Sequence, residues 1–320
     1  MGYSATRVEP LGPAGNAARV KILIGICSCD RFSERRRAIR ETWLRNLPFG
    51  INVLFFSGDA GETDEPGLVS LPVEDSYEQL AAKVHCFYRY ALEHYDFEYL
   101  FKCDDDTYVR PERLCRLPRS GVDFLGSMQV LQGYAQGGAG YLMSRPMVKH
   151  FASETVTANR PEDVFFTERA IASGMALGST ERLQGYGDQV PEVDNEIVTG
   201  HWLGPFEMKR VHAGFTGKHP APLFKLRASH DAWSGWVRLY ADASFWSQGG
   251  ARPNGAWEAA NDGHSLILRW NHWPPETLRL HSWGFEGKPL RLEFANGESL
   301  EQWRRISTVW RWIPSKMGLR

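Results

Sequence analysis

The sequence predicts an α/β domain followed by a smaller β-domain, and three observations support this fold class. Up to about residue 220, short apolar runs alternate with amphipathic helical patterns, as in largely parallel sheets covered by helices. After residue 230 the pattern changes to short strands separated by turns rich in glycine, asparagine and proline. Ten of the twelve tryptophans follow residue 225. We therefore expect a flexible lead-in at residues 1–19, an α/β domain at 20–222 and a tryptophan-rich β-domain at 225–320.

The elements of the first domain follow from its hydrophobic periodicity. The apolar runs predict strands at Val20–Cys27, Ile51–Phe56, Glu98–Cys103, Asp123–Ser127 and Ala139–Met143. Ser33 can cap a helix that continues to Asn46. Asp75, with Glu78 three residues later, resembles a capping box for a helix that extends to Tyr95. Shorter helical patterns predict helices at Pro146–Phe151 and Glu162–Gly174.

The second domain contains short strand patterns, predicted at Gly235–Tyr240, Ser265–Trp270, Thr277–Trp283 and Leu290–Phe294. Its tryptophans have two interpretations. They can fill the core of a small β-domain, which we favour, or some can form a flat platform that stacks on sugar rings.

Composition excludes several classes of protein. The formal net charge of −1, without a basic excess, argues against nucleic-acid binding. The longest apolar stretches, Ile22–Cys27 and Val53–Phe56, are far shorter than the roughly 20 residues of a membrane-spanning helix. Five cysteines without a C-x-x-C pair favour a reducing compartment and argue against structural zinc.

Three adjacent carboxylates, Asp104, Asp105 and Asp106, follow the predicted strand Glu98–Cys103. The carboxyl ends of strands are where open α/β sheets bind ligands, and oxygen ligands suit a hard cation such as Mn²⁺ or Mg²⁺. Two other interpretations remain. The triplet can be a solvated acidic turn, or Asp104 can be the nucleophile of a phosphohydrolase, although Tyr108 then occupies the place of the expected threonine or valine.

Five sequence segments, in this order, resemble the β1,3-galactosyltransferase and Fringe type of glycosyltransferase. The resemblance covers residues 20–217 and implies a GT-A fold, a UDP-sugar donor, a glycan acceptor, a divalent metal ion and inversion at the anomeric carbon. The segments are Asp30-Arg-Phe-Ser-Glu-Arg-Arg-Arg-Ala-Ile-Arg-Glu-Thr-Trp43, Glu74-Asp-Ser-Tyr77, Phe101-Lys-Cys-Asp-Asp-Asp-Thr-Tyr-Val109, Gly137-Gly-Ala-Gly-Tyr-Leu-Met-Ser144 and Glu162-Asp-Val164.

The resemblance also implies roles for the acidic residues. Asp106 corresponds to the direct metal ligand, and Asp104 and Asp105 lie near the ribose and the donor sugar, with Asp104 also a candidate for the metal shell. Asp163 corresponds to the catalytic base, with Glu162 as its competitor. An inverting transfer needs a carboxylate that accepts the proton of the acceptor hydroxyl. Asp163 also starts a helix, where an acid can serve only to cap it.

A late histidine usually completes the metal shell in this family. His212 stands at the expected place, near the end of the α/β part, and His201 and His219 are its rivals. Histidine commonly ligates metals, but a single histidine is as often a satisfied core or surface residue.

Basic and glycine residues complete the candidate site. Arg36 and Arg40 match the basic helix that lies near the nucleotide in the family, although a solvated helix face gives the same pattern. Gly138, between Gly137 and Gly140, is expected to let the backbone approach the donor sugar closely, although a tight turn before a strand would need the same residues.

These expectations together indicate a metal-dependent, inverting glycosyltransferase. We expect it to transfer a hexose, galactose or N-acetylglucosamine, from UDP to a glycan hydroxyl in a β1,3 linkage. A catalytically silent carbohydrate-binding protein on the same scaffold is the alternative. Without an apolar anchor or a cysteine framework, the sequence predicts a cytoplasmic, bacterial-type enzyme; a Golgi location would require that an anchor had been removed.

Overall fold

A computed structural model gives the fold of the chain as two compact units, Met1–Thr216 and Gly217–Arg320. The sequence predicts this division between residues 222 and 225. The residues that the structure describes are 7–12, 20–59, 64–128, 133–156, 159–184, 196–216, 223–229, 234–240, 243–247, 254–262, 264–270, 274–283, 290–294 and 299–302.

A seven-stranded sheet forms the centre of the first unit. The strands of this unit are β1 (Val20–Cys27), β2 (Ile51–Ser57), β3 (Leu68–Ser70), β4 (Phe97–Asp104), β5 (Tyr108–Val109), β6 (Phe124–Gly126), β7 (Tyr141–Ser144), β8 (Leu177–Ser179), β9 (Leu183–Gln184) and β10 (Thr199–Gly200). The large sheet has the order β3-β2-β1-β4-β7-β6-β8, and β5-β10-β9 form a small second sheet. Each of the five strands predicted for this domain is present.

The large sheet is mixed rather than largely parallel. Strands β1 to β4 run parallel, whereas β7 is antiparallel to both β4 and β6. The described residues between β6 and β7 contain no helix, and a parallel neighbour would need such a crossover. The start of β7 therefore lies at the same edge of the sheet as the end of β4.

Six α-helices are present in the described part of the first unit: α1 (Ser33–Glu41), α2 (Leu80–His94), α3 (Pro111–Leu114), α4 (Arg145–Ser153), α5 (Glu162–Ala172) and α6 (Pro205–Phe215). The predicted helix to Asn46 is divided, because a 3₁₀ turn at Trp43–Asn46 follows α1. The sequence reading missed α3 and α6. No helix in the described ranges combines the length and the apolar character that crossing a bilayer requires.

Two predicted helix caps are wrong. Helix α2 begins at Leu80, because the Asp75 carboxylate accepts hydrogen bonds from Lys83 Nζ (2.7 Å) and the Asp30 backbone N–H (3.0 Å) instead of capping the helix. Ser33 lies inside α1, since a 3₁₀ turn leads directly into the helix and puts Phe32 at the N-cap.

Part of the predicted flexible lead-in is tethered to the sheet and to α2. Leu11 forms a β-bridge with Val53. The Val8 backbone N–H donates to Tyr90 Oη (2.8 Å), and its carbonyl accepts a hydrogen bond from the Tyr95 hydroxyl. Residues 7–12 therefore form ordered contacts with the first unit.

The second unit is a closed antiparallel barrel, which confirms the predicted β-domain. Its strands are β11 (Phe224–Ser229), β12 (Ser234–Leu239), β13 (Ser244–Ser247), β14 (Asn254–Ala259), β15 (Ser265–Trp270), β16 (Glu276–Trp283), β17 (Leu290–Phe294) and β18 (Ser299–Gln302). Consecutive strands pair, and β18 closes the barrel on β11, so that the sheet has no free edge.

Tryptophans of the barrel serve mainly as core residues where the structure describes them. Trp257 and Trp270 belong to the apolar cluster, and Trp246 is also buried. Trp236 is 37% exposed, with Lys225 Nζ 4.6 Å from the ring centroid. Trp233, Trp273, Trp303, Trp310 and Trp312 lie outside the described residues.

Candidate active site

The acidic triplet lies at the carboxyl edge of the large sheet, as predicted. Strands β1 and β4 end side by side, with Cys27 paired to Asp104. The backbone N–H of Asp105 donates to the Cys27 carbonyl (3.0 Å), and Ser28 Oγ donates to Asp105 Oδ2 (2.6 Å). The residues that follow these two strands are therefore joined into one structure.

The three carboxylates of the triplet have different partners. Asp104 Oδ1 accepts from Lys102 Nζ (2.9 Å), which lowers the pKa of Asp104 although burial opposes this shift. Arg35 Nη1 lies 2.9 Å from Asp105 Oδ1 and 3.3 Å from Asp106 Oδ2. Burial raises the pKa of Asp105 to about 6, against the hydrogen bonds from Ser28 and Arg35. Ion pairs and hydrogen bonds therefore fix the triplet in place, and it is not a solvated acidic turn.

Asp104, Asp106 and His201 form a group that fits a divalent cation, and we call these three residues the metal group. One ligand atom from each lies within 4.8 Å of the others. Asp106 Oδ1 is buried and makes no hydrogen bond, although His201 Nδ1 lies 3.0 Å away. Two carboxylates and an imidazole form a ligand set suited to Mn²⁺. These three residues would hold the ion that the resemblance implies.

The histidine of this group is His201 and not His212. His212 lies on α6, where its Nδ1 is 2.9 Å from the Tyr108 hydroxyl, and it is not part of the group with Asp104 and Asp106. His219, the other rival, lies outside the described residues. The predicted metal role of His212 is therefore corrected in favour of His201.

Gly138 and Thr107 support the imidazole of His201. A Cβ atom at Gly138 would lie 2.3 Å from His201 Nε2, so only glycine leaves room for the ring. Thr107 Oγ1 donates to the Gly138 carbonyl (2.7 Å) and lies 3.0 Å from His201 Nδ1. The structure thus gives Gly138 a role in placing His201, beside its predicted proximity to the donor.

Glu162 and Asp163 begin α5 beside the same glycine segment. A Cβ atom at Gly137 would lie 2.4 Å from Glu162 Oε2 and 3.1 Å from Asp163 Cβ. Glu162 is 4% exposed; its Oε2 lies 3.2 Å from Lys102 Nζ, and its Oε1 accepts from the Tyr141 hydroxyl. Burial raises the pKa of Glu162 against the charge of Lys102. Both oxygens of Glu162 therefore have protein partners.

Asp163 is the more accessible of the two carboxylates. It is half-buried, and its Oδ1 accepts a hydrogen bond from the backbone N–H of Val164 (2.9 Å). Its Oδ2 makes no hydrogen bond to another described residue. A proton acceptor needs a free oxygen within reach of the substrate, so the geometry favours Asp163 over Glu162 as the base.

The arginine next to the triplet is Arg35, which the sequence reading missed. Arg36 is buried and bonds Glu65 (2.8 Å), and a hydrogen bond to Ser28 Oγ (2.9 Å) links it indirectly to the triplet. Arg40 bonds the same Glu65 (2.5 Å) and the Pro66 carbonyl. Arg36 and Arg40 thus both bond Glu65, and their proximity to the nucleotide stays a prediction.

A cleft of about 160 Å³ opens beside the triplet. Arg35 lies over the ring of Phe32, 4.0 Å from its centroid, and Tyr77 is 79% exposed. Lys83 Nζ donates to the Ser28 carbonyl (2.8 Å). The cleft thus combines aromatic, cationic and carboxylate groups, and its lining residues include Ser28, Phe32, Arg35, Tyr77, Lys83, Asp104, Asp105 and Asp106.

Comparison with known proteins identifies similar sequences. Residues 34–123 match the family model described as Galactosyltransferase. The chain is 34% identical over 125 residues to a probable beta-1,3-galactosyltransferase 13 of Arabidopsis thaliana, covering 32% of this chain and 36% of that protein. It is 32% identical over 116 residues to the mouse beta-1,3-galactosyltransferase 6, covering 31% and 36%.

A longer match reaches human chondroitin sulfate synthase 3, at 24% identity over 250 residues, covering 67% of this chain and 28% of that protein. The chain thus spans about a third or less of the length of these relatives. Among solved structures, a glycosyltransferase involved in the glycosylation of the major capsid of PBCV-1 aligns at a TM-score of 0.42 and 14% identity, covering 59% of this chain and 98% of that one.

Proposed function

We propose that the chain is a glycosyltransferase of the β1,3-galactosyltransferase type, which transfers a hexose from a UDP-sugar to a hydroxyl group of a glycan. The donor hexose in this proposal is galactose or N-acetylglucosamine, and the new linkage is β1,3. The reaction depends on a divalent metal ion, Mn²⁺ or Mg²⁺, and inverts the anomeric carbon.

The group of Asp104, Asp106 and His201 beside the cleft is the observation that carries this proposal. A cluster of two carboxylates and a histidine at the carboxyl ends of β1 and β4 suits a cation that binds a diphosphate. Asp163 lies next to Gly137. Gly137 belongs to the glycine segment that also packs against His201. One short glycine segment thus contacts both His201 and the start of α5.

Each residue has a separate task in the proposed transfer. When bound, the cation would neutralise the negative charge of the departing diphosphate. Arg35 holds Asp105 and Asp106 in place (2.9 and 3.3 Å). Asp163 accepts the proton of the acceptor hydroxyl as that oxygen attacks the anomeric carbon of the donor, and the bond from this carbon to the diphosphate oxygen breaks.

A panel of UDP-sugars with Mn²⁺, scored for UDP release with and without glycan acceptors, tests the proposal. We expect one donor to release UDP in a metal-dependent reaction, and Asp106→Asn to abolish Mn²⁺-dependent UDP binding in calorimetry. Asp96→Asn is the matched control, because its carboxylate is 69% exposed on the surface. UDP binding that is the same with and without a chelator would contradict the metal requirement.

The same panel separates the enzyme from the alternative function. A catalytically silent carbohydrate-binding protein would bind saccharides without releasing UDP from any donor. Such a protein needs no proton acceptor, so Asp163→Asn would then leave its saccharide affinity unchanged.

A further inference from the structure

We propose that Lys102 is a positioning residue for the transfer, because its ammonium group fixes the metal-binding Asp104 relative to the start of α5, which carries Asp163. This inference rests on the proposed function. Lys102 lies in β4 and is completely buried. A lysine inside an apolar strand is rare unless it is paired, so its partners require an explanation.

The three N–H donors of the ammonium group match three acceptors. Lys102 Nζ lies 2.9 Å from Asp104 Oδ1, 3.2 Å from the Gly137 carbonyl and 3.2 Å from Glu162 Oε2. Each hydrogen of the ammonium group therefore has a partner.

The three acceptors come from three separate segments, each of which carries one part of the site. Asp104 ends β4 and belongs to the metal group. Gly137 belongs to the segment that packs against His201. Glu162 is the first residue of α5 and directly precedes Asp163. One ammonium group thus links the metal ligands to the proton acceptor.

Stability alone does not explain this arrangement. Buried ion pairs can often be replaced by apolar residues of similar volume without loss of stability, whereas removing one partner leaves an uncompensated charge. An ion pair that serves only stability can therefore be replaced as a unit without loss of activity. Replacing a pair that sets catalytic geometry lowers the rate even when stability is kept. A displacement of about 1 Å at a reacting group can reduce the rate by about 10²-fold.

The double variant Lys102→Met/Glu162→Gln separates the two roles, because it removes both charges and keeps an acceptor for the Tyr141 hydroxyl. We expect its melting temperature to stay close to that of the wild type and its kcat to fall by about 10²-fold. We also expect Asp163→Asn to lower kcat only slightly further in this background, since effects on groups that act as a unit are not additive.

Tyr88→Phe is the matched control. It removes a buried hydroxyl that lies 3.3 Å from the Tyr141 hydroxyl and does not touch Lys102. We expect this variant to leave kcat unchanged. Should the double variant not fold, Lys102→Gln, which keeps two N–H donors, is the second test, with an expected loss of about 10-fold in kcat.

The outcomes distinguish this role from the proposed function. A folded double variant or a folded Lys102→Gln with wild-type kcat would overturn the positioning role alone, as would a full additional loss from Asp163→Asn in the double variant. A wild-type chain that neither binds UDP with Mn²⁺ nor releases it from any donor would overturn the proposed function, and the role of Lys102 with it.

Discussion

Substituting Gly138 by alanine adds a single methyl group at the most crowded point of the candidate site. The φ angle of Gly138 is not in the left-handed region, so its backbone accepts alanine, and the effect comes from the side chain alone. That side chain would meet the imidazole of His201, which belongs to the metal group. We expect Gly138→Ala to impair metal-dependent nucleotide binding without preventing folding.

The size of the effect follows from the distances. The added Cβ would lie 2.3 Å from His201 Nε2 and 2.4 Å from Cε1, whereas ordinary contacts begin at 3.4 Å. The ring must therefore move by about 1 Å, which exceeds the roughly 0.2 Å that ligand distances in metal sites tolerate. We expect Mn²⁺-dependent UDP binding to weaken by about 10- to 100-fold, a loss of about 1.4 to 2.7 kcal/mol.

Calorimetric titration of UDP in the presence of Mn²⁺ measures this loss, and Gly121→Ala is its control. Gly121 has φ +72° and no atom within 4 Å of an added Cβ. Its substitution costs about 1 to 2 kcal/mol of backbone strain, similar to the overpacking cost of about 1 to 3 kcal/mol at Gly138, but does not touch His201. A Gly138→Ala protein with wild-type Mn²⁺-dependent affinity would refute the assignment of His201 to the metal group.

Three further predictions address the base, the barrel and a partly buried ion pair. Asp163→Asn should lower kcat by about 10²- to 10⁴-fold with unchanged UDP-sugar affinity; ordinary turnover would reduce Asp163 to a helix-capping acid. A chain ending at Ala221 should keep Mn²⁺-dependent UDP binding, and its loss in a folded protein would place part of the donor site in the barrel. Although partial burial opposes it, hydrogen bonds from Arg36 and Arg40 lower the pKa of Glu65. The stabilisation by Glu65 should thus be present above its unfolded-state pKa and be lost as pH falls through the lower folded-state value. Urea unfolding of wild type and Glu65→Gln from pH 7 to pH 3 checks this, and a stability difference that does not shrink on acidification would contradict it.

The parts of the fold that were predictable from the sequence are those set by local patterns. Strands β1, β2 and β4 are buried on both faces over most of their length, so each contains an apolar run that stands out in the sequence, although Lys102 interrupts the run of β4. The position of the acidic triplet follows directly from the end of β4. The start of α2 was not predictable, because Asp75 has the local pattern of a capping residue but bonds Lys83 and the Asp30 backbone instead. At that position, the tertiary hydrogen bonds of Asp75 prevail over its local capping pattern.

The choice between candidate side chains depended on long-range pairing that no local pattern records. Successive helical residues point about 100° apart, so only one arginine of the run from Arg35 to Arg37 can face the triplet, and the sequence does not reveal which. His201 follows β10, and β10 pairs with β5 directly after the triplet, with Gly200 opposite Tyr108. This pairing of two-residue strands brings His201 to Asp106, whereas α6 directs His212 to the Tyr108 hydroxyl. Both strands are too short to produce a hydrophobic period, so the proximity of His201 to Asp104 and Asp106 became identifiable only once the small sheet β5-β10-β9 was known.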